Sequence, residues 1–366
     1  GGSPMTKTAR ILVGPAPHIH DSQSTASLVW GCVLALVPAL LWGVYCFGVG
    51  AALVVAAALG GALAGEGLAG LARRRFSLLD GSAFLTGLLV GLAMPPGAPL
   101  YVPAASAFFA TAFVKGAFGG LGSNWMNPAL AGIAFAVLNW PQAMGAWVLP
   151  RHLTGVVGIS GATPLALVRD KLASGQGGSD PLAILEAAGQ SFTGLDRGVT
   201  GFLNGGLFER LGASLPQGYI DLLVGNRPGA VGELSGLLLL AASVVLVARR
   251  MIRWEVPLSI FASYAALVWA FGGLPFGEGF FSGDVLFEVL SGSFILVSFF
   301  MATDPVTSPS TRLGMAVYGA GVGALTFLLR SFGSRPEGTA FAVILMNCAL
   351  PLLERLERPR RGEAAK

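Results

Sequence analysis

The sequence predicts an all-α membrane protein that crosses the bilayer about ten times, in two repeats of five helices. Three observations predict this class. Only 11% of the 366 residues are charged and 54% are hydrophobic, whereas about 25% of the residues of a soluble domain are charged. Several apolar runs exceed the ~18 residues that mark a membrane-spanning helix. Short motifs also recur in the same order in the two halves of the chain, which indicates an internal duplication.

Ten apolar segments form the predicted helices, and a long polar segment separates the fifth from the sixth. The first five are 28–48, 50–71, 82–95, 101–118 and 128–148. The second five are 234–250, 256–273, 285–302, 314–331 and 339–354. The chain is accordingly divided into an N-terminal segment (1–27), a first repeat (28–150), a polar loop (151–233), a second repeat (234–354) and a basic tail (355–366). Residues 1–4 precede Met5, and we interpret them as an expression scar.

Two of these helices are predicted to break inside or near the membrane. The third runs into Met94-Pro95-Pro96-Gly97, and the eighth runs into Thr303-Asp304-Pro305. Proline lacks a backbone N–H and clashes with the preceding helical turn. Irregular backbone is tolerated at membrane depth only where protein or water satisfies its polar groups. Broken helices in matching positions are typical of inverted-repeat membrane proteins.

Three pairs of motifs relate the two halves. The pairs are Gly81-Ser82 with Gly292-Ser293, Gly122-Ser123 with Gly333-Ser334, and 132–137 (GIAFAV) with 338–343 (GTAFAV). Because five crossings is an odd number, the second repeat must enter the membrane from the opposite side. The sequence therefore predicts an inverted repeat.

The basic residues predict the orientation of these helices. With the N-terminus in the cytoplasm, fifteen Lys and Arg residues lie on the cytoplasmic side and two lie in short loops on the other side. The cytoplasmic set is Lys7, Arg10, Arg73, Arg74, Arg75, Lys115, Arg249, Arg250, Arg253, Arg312, Arg355, Arg358, Arg360, Arg361 and Lys366, and the opposite set is Arg330 and Arg335. This bias follows the positive-inside rule. It predicts a multi-pass protein of the bacterial inner membrane whose polar loop faces the periplasm, with lipid as a partner and no nucleic acid.

Glu66 and Lys115 lie near the ends of predicted helices, and their charged groups are expected to snorkel to the membrane interface. The helix centres otherwise contain almost no ionisable residues. A relay of Asp, Glu or His side chains is therefore not predicted. An ion path would have to use backbone carbonyls at the helix breaks or another subunit.

The most informative stretch of the polar loop is Ser160-Gly161-Ala162-Thr163. Gly161 and Ala162 keep large side chains away from the Thr163 hydroxyl, and Pro164 restricts the backbone that follows. Such a turn suits the attachment of a covalent group to an exposed hydroxyl by a modifying enzyme. The alternative is an ordinary loop turn, because so short a motif also occurs by chance.

Four stretches together resemble one family of membrane subunits. They are 160–165 (SGATPL), 119–124 (GGLGSN), 225–233 (GNRPGAVGE) and 302–309 (ATDPVTSP). The family includes the D subunit of the Rnf ion-translocating oxidoreductase and the similar B subunit of the sodium-translocating NADH:quinone oxidoreductase. The resemblance extends from residue 10 to about residue 353.

The resemblance implies that Thr163 carries FMN through a phosphoester bond, with Ser160, Gly161 and Ala162 completing the attachment motif. It implies a urea-channel-like fold and a flavin transferase that uses FAD as donor. The implied activity is electron transfer of the ferredoxin/NAD type coupled to sodium or proton translocation. That activity would belong to a complex of membrane and peripheral subunits and not to this chain alone. The resemblance does not decide whether a second, non-covalent flavin binds.

Residues 225–233 allow two interpretations. The glycines and Asn226 can form a nest of backbone N–H groups near an anionic ligand, with Arg227 adding positive charge. The alternative is a tight turn that leads into the next helix, with Glu233 favourable at the helix N-terminus.

Three further polar residues lie close to helix ends. Asp304 either lines an ion path or caps the helix end in an Asp-Pro turn, and no metal site is predicted. Asn127-Pro128 predicts an N-cap followed by proline at the first helical position. Asn124 and Asn127 are weaker candidates for holding a second flavin or a quinone-like ring.

Motifs of other enzyme classes do not occur in the sequence, including the nucleophile elbow, HExxH, the P-loop and GxGxxG. NADH or ATP is therefore expected to bind to another subunit. The alternative function is a channel or secondary transporter of a small solute without redox activity, because inverted repeats with broken helices are typical of that class. A purely structural scaffold is the second alternative. Covalent flavin on the denatured chain would discriminate the flavin carrier from the transporter. The scaffold alternative predicts that Thr163→Val leaves electron transfer by the assembled complex intact.

Overall fold

The computed structural model shows helices joined by turns, in agreement with the predicted all-α class. It describes residues 24–74, 80–154, 160–174, 180–190, 192–212, 214–274, 277, 279–333 and 338–355. Within these ranges the only β-type pairing is an isolated bridge between Val148 and Ser160. Most of the predicted N-terminal segment (1–27) and nearly all of the basic tail (355–366) lie outside the described residues.

The first half contains five helical segments at the predicted places. They are α1 (Thr25–Phe47), α2 (Val49–Arg73), α3 (Ser82–Leu92), α4 (Tyr101–Phe109), which continues as a π-helix (Ala110–Gly116), and α5 (Pro128–Asn139). The predicted N-cap of α5 is confirmed, because Asn127 Oδ1 accepts from the N–H of Ala129 at 2.9 Å. The prediction that this helix extends to residue 148 is wrong. It ends before Trp140-Pro141, where the proline disfavours helical backbone at the preceding residue.

The described residues of the polar loop form five short α-helices, and a π-helix (Asn204–Phe208) and a 3-10 turn (Glu209–Leu211) follow the fourth of them. The five α-helices are α6 (Arg151–Thr154), α7 (Pro164–Ala173), α8 (Pro181–Ala187), α9 (Gly194–Leu203) and α10 (Tyr219–Val224). Side chains cap two of them, because Asp180 accepts from Leu182 N–H at 3.0 Å and Thr193 accepts from Asp196 N–H at 3.3 Å. Each cap satisfies a backbone donor that has no partner inside its own helix.

The second half contains six helical segments where five were predicted. They are α11 (Gly236–Ala248), α12 (Glu255–Phe271), α13 (Val285–Leu290), α14 (Phe294–Leu296), which continues as a π-helix (Val297–Met301), α15 (Arg312–Phe332) and α16 (Thr339–Leu353). The eighth predicted helix therefore breaks in its middle as well as ending before Thr303. The cause is Gly292, whose φ of 69° is incompatible with a continuous right-handed helix.

Three of the described helices, α1, α2 and α15, are long and apolar enough to cross a membrane. Helices α3, α5, α11, α12 and α16 are shorter and apolar. The membrane-protein class is therefore supported by length and composition. The count of ten crossings stays a prediction.

Glycines allow close packing inside each half. In the first half α2 packs against α4, and a β-carbon built at Gly65 would lie 2.8 Å from the carbonyl oxygen of Phe108. In the second half α15 packs against α12, and a β-carbon at Gly319 would lie 2.7 Å from the carbonyl oxygen of Val256. Small residues at such contacts let membrane helices approach backbone to backbone.

The helix breaks show how the two halves interlock. Gly81 before α3 and Gly292 before α14 share a left-handed φ, of 75° and 69°, in agreement with the pairing of these motifs in the sequence. Asn127 of the first half donates through Nδ2 to the carbonyl of Met301 in the second half, at 2.9 Å. The N–H of Gly232 donates to the carbonyl of Leu92 at 2.7 Å. Backbone groups left free by the breaks thus find partners within the protein.

Candidate functional site

A cavity of about 330 Å³ joins the two loop motifs that the sequence singles out. Ser160, Gly161 and Ala162 line one part of it, and Asn226 and Arg227 line another. Its volume falls in the ~300–1,000 Å³ range of small-molecule sites. Folding therefore brings together the two stretches that resemble the same family. We call this space the loop cavity.

Thr163 directly follows Ala162 in the chain but is not among the residues that line the loop cavity. It is only 4% exposed, whereas the sequence predicts an exposed hydroxyl. The reason is that Thr163 precedes α7, and its Oγ1 accepts from the N–H of Ala166 at 3.4 Å. The neighbouring Ser160 and Ala162 are exposed. The attachment motif is thus at the surface, but the hydroxyl that it presents is engaged as a helix cap.

Backbone pairing holds the motif in place. Gly161 N–H donates to the carbonyl of Trp147 at 3.1 Å, and Ser160 pairs with Val148 in the isolated bridge. A β-carbon at Gly161 would lie 3.0 Å from Leu149. The segment before Thr163 is consequently fixed against residues 147–149 and is not a freely moving turn.

The 225–233 stretch forms the tight turn that was one of its two interpretations. The N–H groups of Gly225 and Asn226 both donate to the carbonyl of Asp221, at 2.8 and 2.9 Å, so they close the C-terminus of α10. Glu233 Oε1 accepts from the N–H of Ala230 at 3.0 Å. These N–H groups are therefore used inside the turn. Asn226 and Arg227, which belong to this turn, also line the loop cavity.

Two aspartates that the sequence analysis missed support the loop cavity. Asp221 accepts from Thr193 N–H at 2.7 Å, from Thr193 Oγ1 at 2.6 Å and from Asn226 Nδ2 at 2.8 Å. Asp196 is fully buried and accepts from three backbone N–H groups between residues 218 and 221. One of the two could have been found from the sequence, because the spacing of Thr193 and Asp196 resembles a capping box. The partners of the carboxylates depend on tertiary packing.

Arg227 and Arg169 bring positive charge close to the loop helices. Arg227 is 3% exposed, and its Nη2 donates to the carbonyl of Glu233 at 3.2 Å. Arg169 on α7 donates through Nη2 to the carbonyl of Gly333 at 2.9 Å, which ties α7 to the end of α15. Burial lowers the pKa of the Arg169 guanidinium below its usual value, although an arginine remains charged in proteins.

A second cavity, of about 150 Å³, contains the other polar candidates. Asn124, Asn127 and Asp304 all line it, together with Lys115. Asn124 is 6% exposed, and its Oδ1 has no hydrogen-bond partner among the described residues. Asp304 accepts from Val306 N–H and from Thr307 Oγ1, both at 3.3 Å. The predicted Asp-Pro turn is therefore present, and the same carboxylate belongs to a cavity.

The prediction that Glu66 and Lys115 snorkel to the interface is wrong. They are 0% and 1% exposed, and Lys115 Nζ lies 2.9 Å from Glu66 Oε2. Lys115 also donates to Ser82 Oγ at 2.5 Å. An ionisable group inside a membrane protein is stabilised when it pairs with another, and the two residues do so across α2 and α4.

The fold and the loop cavity define an all-helical membrane protein in which short helices between two helical halves enclose a ligand-sized space. Comparison with known proteins identifies the class further. The model of the NQR2, RnfD, RnfE family matches residues 12–362, so the chain belongs to that family.

Curated relatives match over nearly the whole chain. The D subunit of the proton-translocating ferredoxin:NAD(+) oxidoreductase complex of Clostridium ljungdahlii is 34% identical over 95% of this chain and 94% of its own length. The D subunit of the Na(+)-translocating ferredoxin:NAD(+) oxidoreductase complex of Acetobacterium woodii is 34% identical over 96% and 94%. The D subunit of the ion-translocating oxidoreductase complex of Stutzerimonas stutzeri is 36% identical over 89% of each chain. Two relatives of equal identity are thus named for different ions, so overall identity does not select the ion.

Proposed function

We propose that this chain is a membrane subunit of an ion-translocating oxidoreductase complex, and that it carries FMN in phosphoester linkage on Thr163. Electron transfer of the ferredoxin/NAD type would be coupled to the movement of sodium or protons across the bacterial inner membrane. The chain would act only together with other membrane and peripheral subunits. The names of the matched relatives support the role in a complex.

The observation that carries the flavin proposal is the loop cavity. Residues 160–162 and 226–227 are far apart in the chain, and both line one space of about 330 Å³. Phe192 and several leucines supply an apolar and aromatic wall, and Asp221, Asn226 and Arg227 supply polar groups. A flat aromatic ring with a hydrogen-bonding edge fits such a mixture, because ligand sites combine apolar walls with a few polar groups that fix orientation.

The position of Thr163 suits a phosphate group. Thr163 caps α7, so an ester on its Oγ1 would place phosphate oxygens at the N-terminus of this helix. Free backbone N–H groups and the helix dipole favour an anion there. The buried Arg227 lines the same loop cavity as Gly161 and Ala162, the two residues before Thr163. The residues present therefore fit a phosphate-linked flavin.

Bound FMN would supply the redox chemistry, and the protein would bind and orient the ring and exclude water. Phe192 would belong to the apolar part of the site that holds the ring, and Asn226 and Arg227 would supply its polar groups. Asp221 holds Asn226 through the 2.8 Å bond, so it positions that side chain. Tethering by Thr163 keeps the ring at high local concentration beside its electron partners.

Attachment requires the cap of α7 to open. In the folded chain Thr163 is 4% exposed and its hydroxyl is hydrogen-bonded. A flavin transferase, with FAD as donor, would therefore act before the loop packs or during local opening of the first turn of α7. Such opening is inexpensive at a helix end, where terminal turns fray.

Matched variants test the attachment. The chain is purified from a host with the transferase, denatured, and analysed by in-gel flavin fluorescence and peptide mass spectrometry. We expect an added mass of about one FMN less water on the peptide that contains Thr163. Thr163→Val should give a dark band, whereas Ser174→Ala, which removes an exposed hydroxyl of the same loop outside the motif, should stay fluorescent.

Two results would contradict this assignment. Unmodified Thr163 in fully matured protein would exclude it, as would flavin retained by Thr163→Val. A dark wild-type band that still supports solute flux in vesicles would favour the channel or transporter alternative. Electron transfer by the assembled complex that is unaffected by Thr163→Val would favour a structural scaffold.

The second cavity is our candidate for a second, non-covalent flavin. Its supporting observation is Asn124 Oδ1, a buried acceptor without a partner among the described residues. A flavin ring carries an N–H donor that this acceptor could bind. Acid extraction of the same preparations measures non-covalent flavin. Asn124→Leu should lower the extracted amount while leaving the covalent band intact, and the exposed control Asn139→Leu should not. Equal extraction from both variants would exclude this site.

Asp304 is the residue that we propose for contact with the translocated ion. It lines the second cavity with Asn127 and Lys115, at the end of a broken helix, which is where such membrane proteins place ion contacts. Asp304→Asn keeps the turn but removes the charge. Ion transport per electron in proteoliposomes should fall, and an unchanged ratio would reject the assignment.

A further inference from the structure

Helix α9 in the loop has one buried and one exposed face. Asp196 and Thr200 are 0% and 2% exposed, whereas Leu195, Val199 and Phe202 are 53%, 38% and 79% exposed. The three apolar residues follow the i, i+4, i+7 spacing, so they lie on one side of the helix. We call them the α9 stripe. It is an apolar surface that the described residues leave uncovered.

The anchoring of α9 fixes the direction in which the stripe faces. The Asp196 carboxylate accepts from the N–H groups of Gly218 at 2.8 Å, Ile220 at 3.0 Å and Asp221 at 3.2 Å. Those groups form the N-terminus of α10, where a carboxylate is favourable. Rotating α9 to bury its stripe would break three hydrogen bonds to a fully buried carboxylate. The stripe is therefore held outward by the fold.

Helix α10 in turn ties α9 to the ends of α12 and α13. The Tyr219 hydroxyl donates to the carboxylate of Asp284, the residue before α13, and burial raises the pKa of Tyr219, with Asp284 adding to the effect. Just before Asp284 stand Phe280 and Phe281, which are 63% and 62% exposed. The Phe281 ring packs on Trp269 with centroids 4.8 Å apart. Trp269 is itself 56% exposed and lies two residues before the end of α12, and tryptophans in such positions are enriched at the boundary of the bilayer.

The backbone of Phe281 holds its ring in an outward position. Its φ is 62°, which is unfavourable for a bulky side chain. Its N–H donates to the carbonyl of Ala270 at 3.1 Å, and its ring points outward beside Trp269. Burial of this exposed apolar ring in lipid would be favourable, because it removes apolar surface from water.

We propose that α9 lies in the membrane interface, with the α9 stripe inserted into the lipid at the level of the aromatic residues 269, 280 and 281. An interfacial helix buries its apolar face about 5–10 Å into the boundary between head groups and acyl chains. Arg197 is exposed and lies outside the stripe, on the side of head groups and water. The contact holds the loop cavity at a fixed height over the bilayer. This proposal depends on the membrane class of the protein and not on the flavin.

Nitroxide labelling tests the proposal with a matched control on the same helix. Cys32, Cys46 and Cys348 are replaced by Ala, and Phe202→Cys, Leu195→Cys or Arg197→Cys is introduced and labelled. The assembled complex is reconstituted in vesicles of phosphatidylethanolamine and phosphatidylglycerol. Electron paramagnetic resonance then measures collision of the label with oxygen and with a water-soluble nickel chelate. Positions 202 and 195 should favour oxygen, and position 197 should favour nickel.

Two outcomes would overturn the proposal. A label at 202 that collides mainly with nickel in vesicles places the stripe in water. A label at 202 that is shielded from both reagents in the complex, but reached by nickel in the isolated full chain, shows that another subunit covers the stripe. Covalent flavin fluorescence of each variant reports separately on attachment at Thr163, so failure of either proposal is recognised independently.

Discussion

In the part of the chain that the structure describes, each half contains an ion pair with a deeply buried cation, and the two cations differ in what else they bind. In the first half Lys115 at the end of α4 binds Glu66 on α2. In the second half Arg330 at the end of α15 binds Glu288 on α13, with Nη1 and Oε2 3.3 Å apart. Both cations are almost completely buried, at 1% and 2% exposed. The two cations therefore occupy corresponding places in the predicted repeats, at the ends of the fourth and ninth predicted helices, whereas Glu66 and Glu288 lie on helices that do not correspond.

The two ion pairs differ in whether their cation also hydrogen-bonds to backbone groups at a helix break. Arg330 also donates to the carbonyls of Glu288 at 2.7 Å and Ser291 at 3.1 Å, and to the hydroxyl of Tyr264 at 3.0 Å. It thus satisfies backbone groups that the break after α13 leaves free. An arginine can do so because its planar fork has five donors, whereas a lysine is a single point charge.

The break after α3 is satisfied without a side chain. The N–H groups of Gly232 and Val231 donate to the carbonyls of Leu92 and Met94, at 2.7 and 3.2 Å. Lys115 donates instead to the side chains of Glu66 and Ser82, and so it links the end of α4 to α2 and to the start of α3. One half closes its break with a guanidinium, and the other closes it with a returning segment of backbone.

The largest effect is expected from Arg330→Met. The change removes the cation beside Glu288, whose carboxylate keeps the Tyr264 hydroxyl as a donor at 2.6 Å. It also leaves the carbonyls of Glu288 and Ser291 without the Arg330 donor. Breaking a buried pair typically costs about 3–5 kcal/mol, and we expect the lower end of this range because the Glu288 side chain is 26% exposed. Arg330→Lys should recover only part of this loss, because one ammonium cannot reach all the acceptors. Thermal unfolding of the detergent-solubilised chain measures the effect, with the exposed Arg197→Met as control. Equal stability of Arg330→Met and Arg197→Met would show that the break does not depend on Arg330.

A smaller effect is expected from Lys115→Met. Glu66 keeps a second cation, since Arg73 Nη2 lies 3.6 Å from its Oε1, and no helix break depends on Lys115. We expect a loss of about 1–3 kcal/mol, the range for an unsatisfied buried polar group. The double variant Lys115→Met/Glu66→Met should be more stable than the single one, because it leaves no buried charge unpaired. A loss as large as that of Arg330→Met would remove the distinction between the two halves.

Local signals in the sequence predicted many of the helix starts. Asn127-Pro128 indicates an N-cap with proline at the first helical position, and Asn127 Oδ1 accepts accordingly. The same pattern in Thr163-Pro164 could have predicted that the Thr163 hydroxyl turns inward as a cap. The sequence analysis instead treated that hydroxyl as exposed, because it weighed the small neighbours Gly161 and Ala162 and not the proline.

Contacts between distant segments could not be predicted in this way. Lys115 and Glu66 were placed at helix ends without knowledge of which faces meet, so their pairing was missed. The shared lining of the loop cavity by residues 160–162 and 226–227 likewise depends on how the short loop helices pack. Their membership of one site was suggested only by family resemblance, and the geometry now supplies a physical reason for it.

The smallest expected effect tests the backbone closure of the first half. A β-carbon at Gly232 would lie 2.8 Å from Leu92 Cδ2, so Gly232→Ala should push the returning segment away from the break after α3. Overpacking of this kind costs about 1–3 kcal/mol, and the local loss should appear as faster hydrogen exchange at Gly232 and Val231. Gly67→Ala in α2 is the control, because a β-carbon there meets nothing within 4 Å. The control should be neutral or more stable by up to about 1 kcal/mol. Unchanged exchange at both backbone donors in Gly232→Ala would mean that the segment 230–233 does not close this break, and that the two halves differ in some other respect.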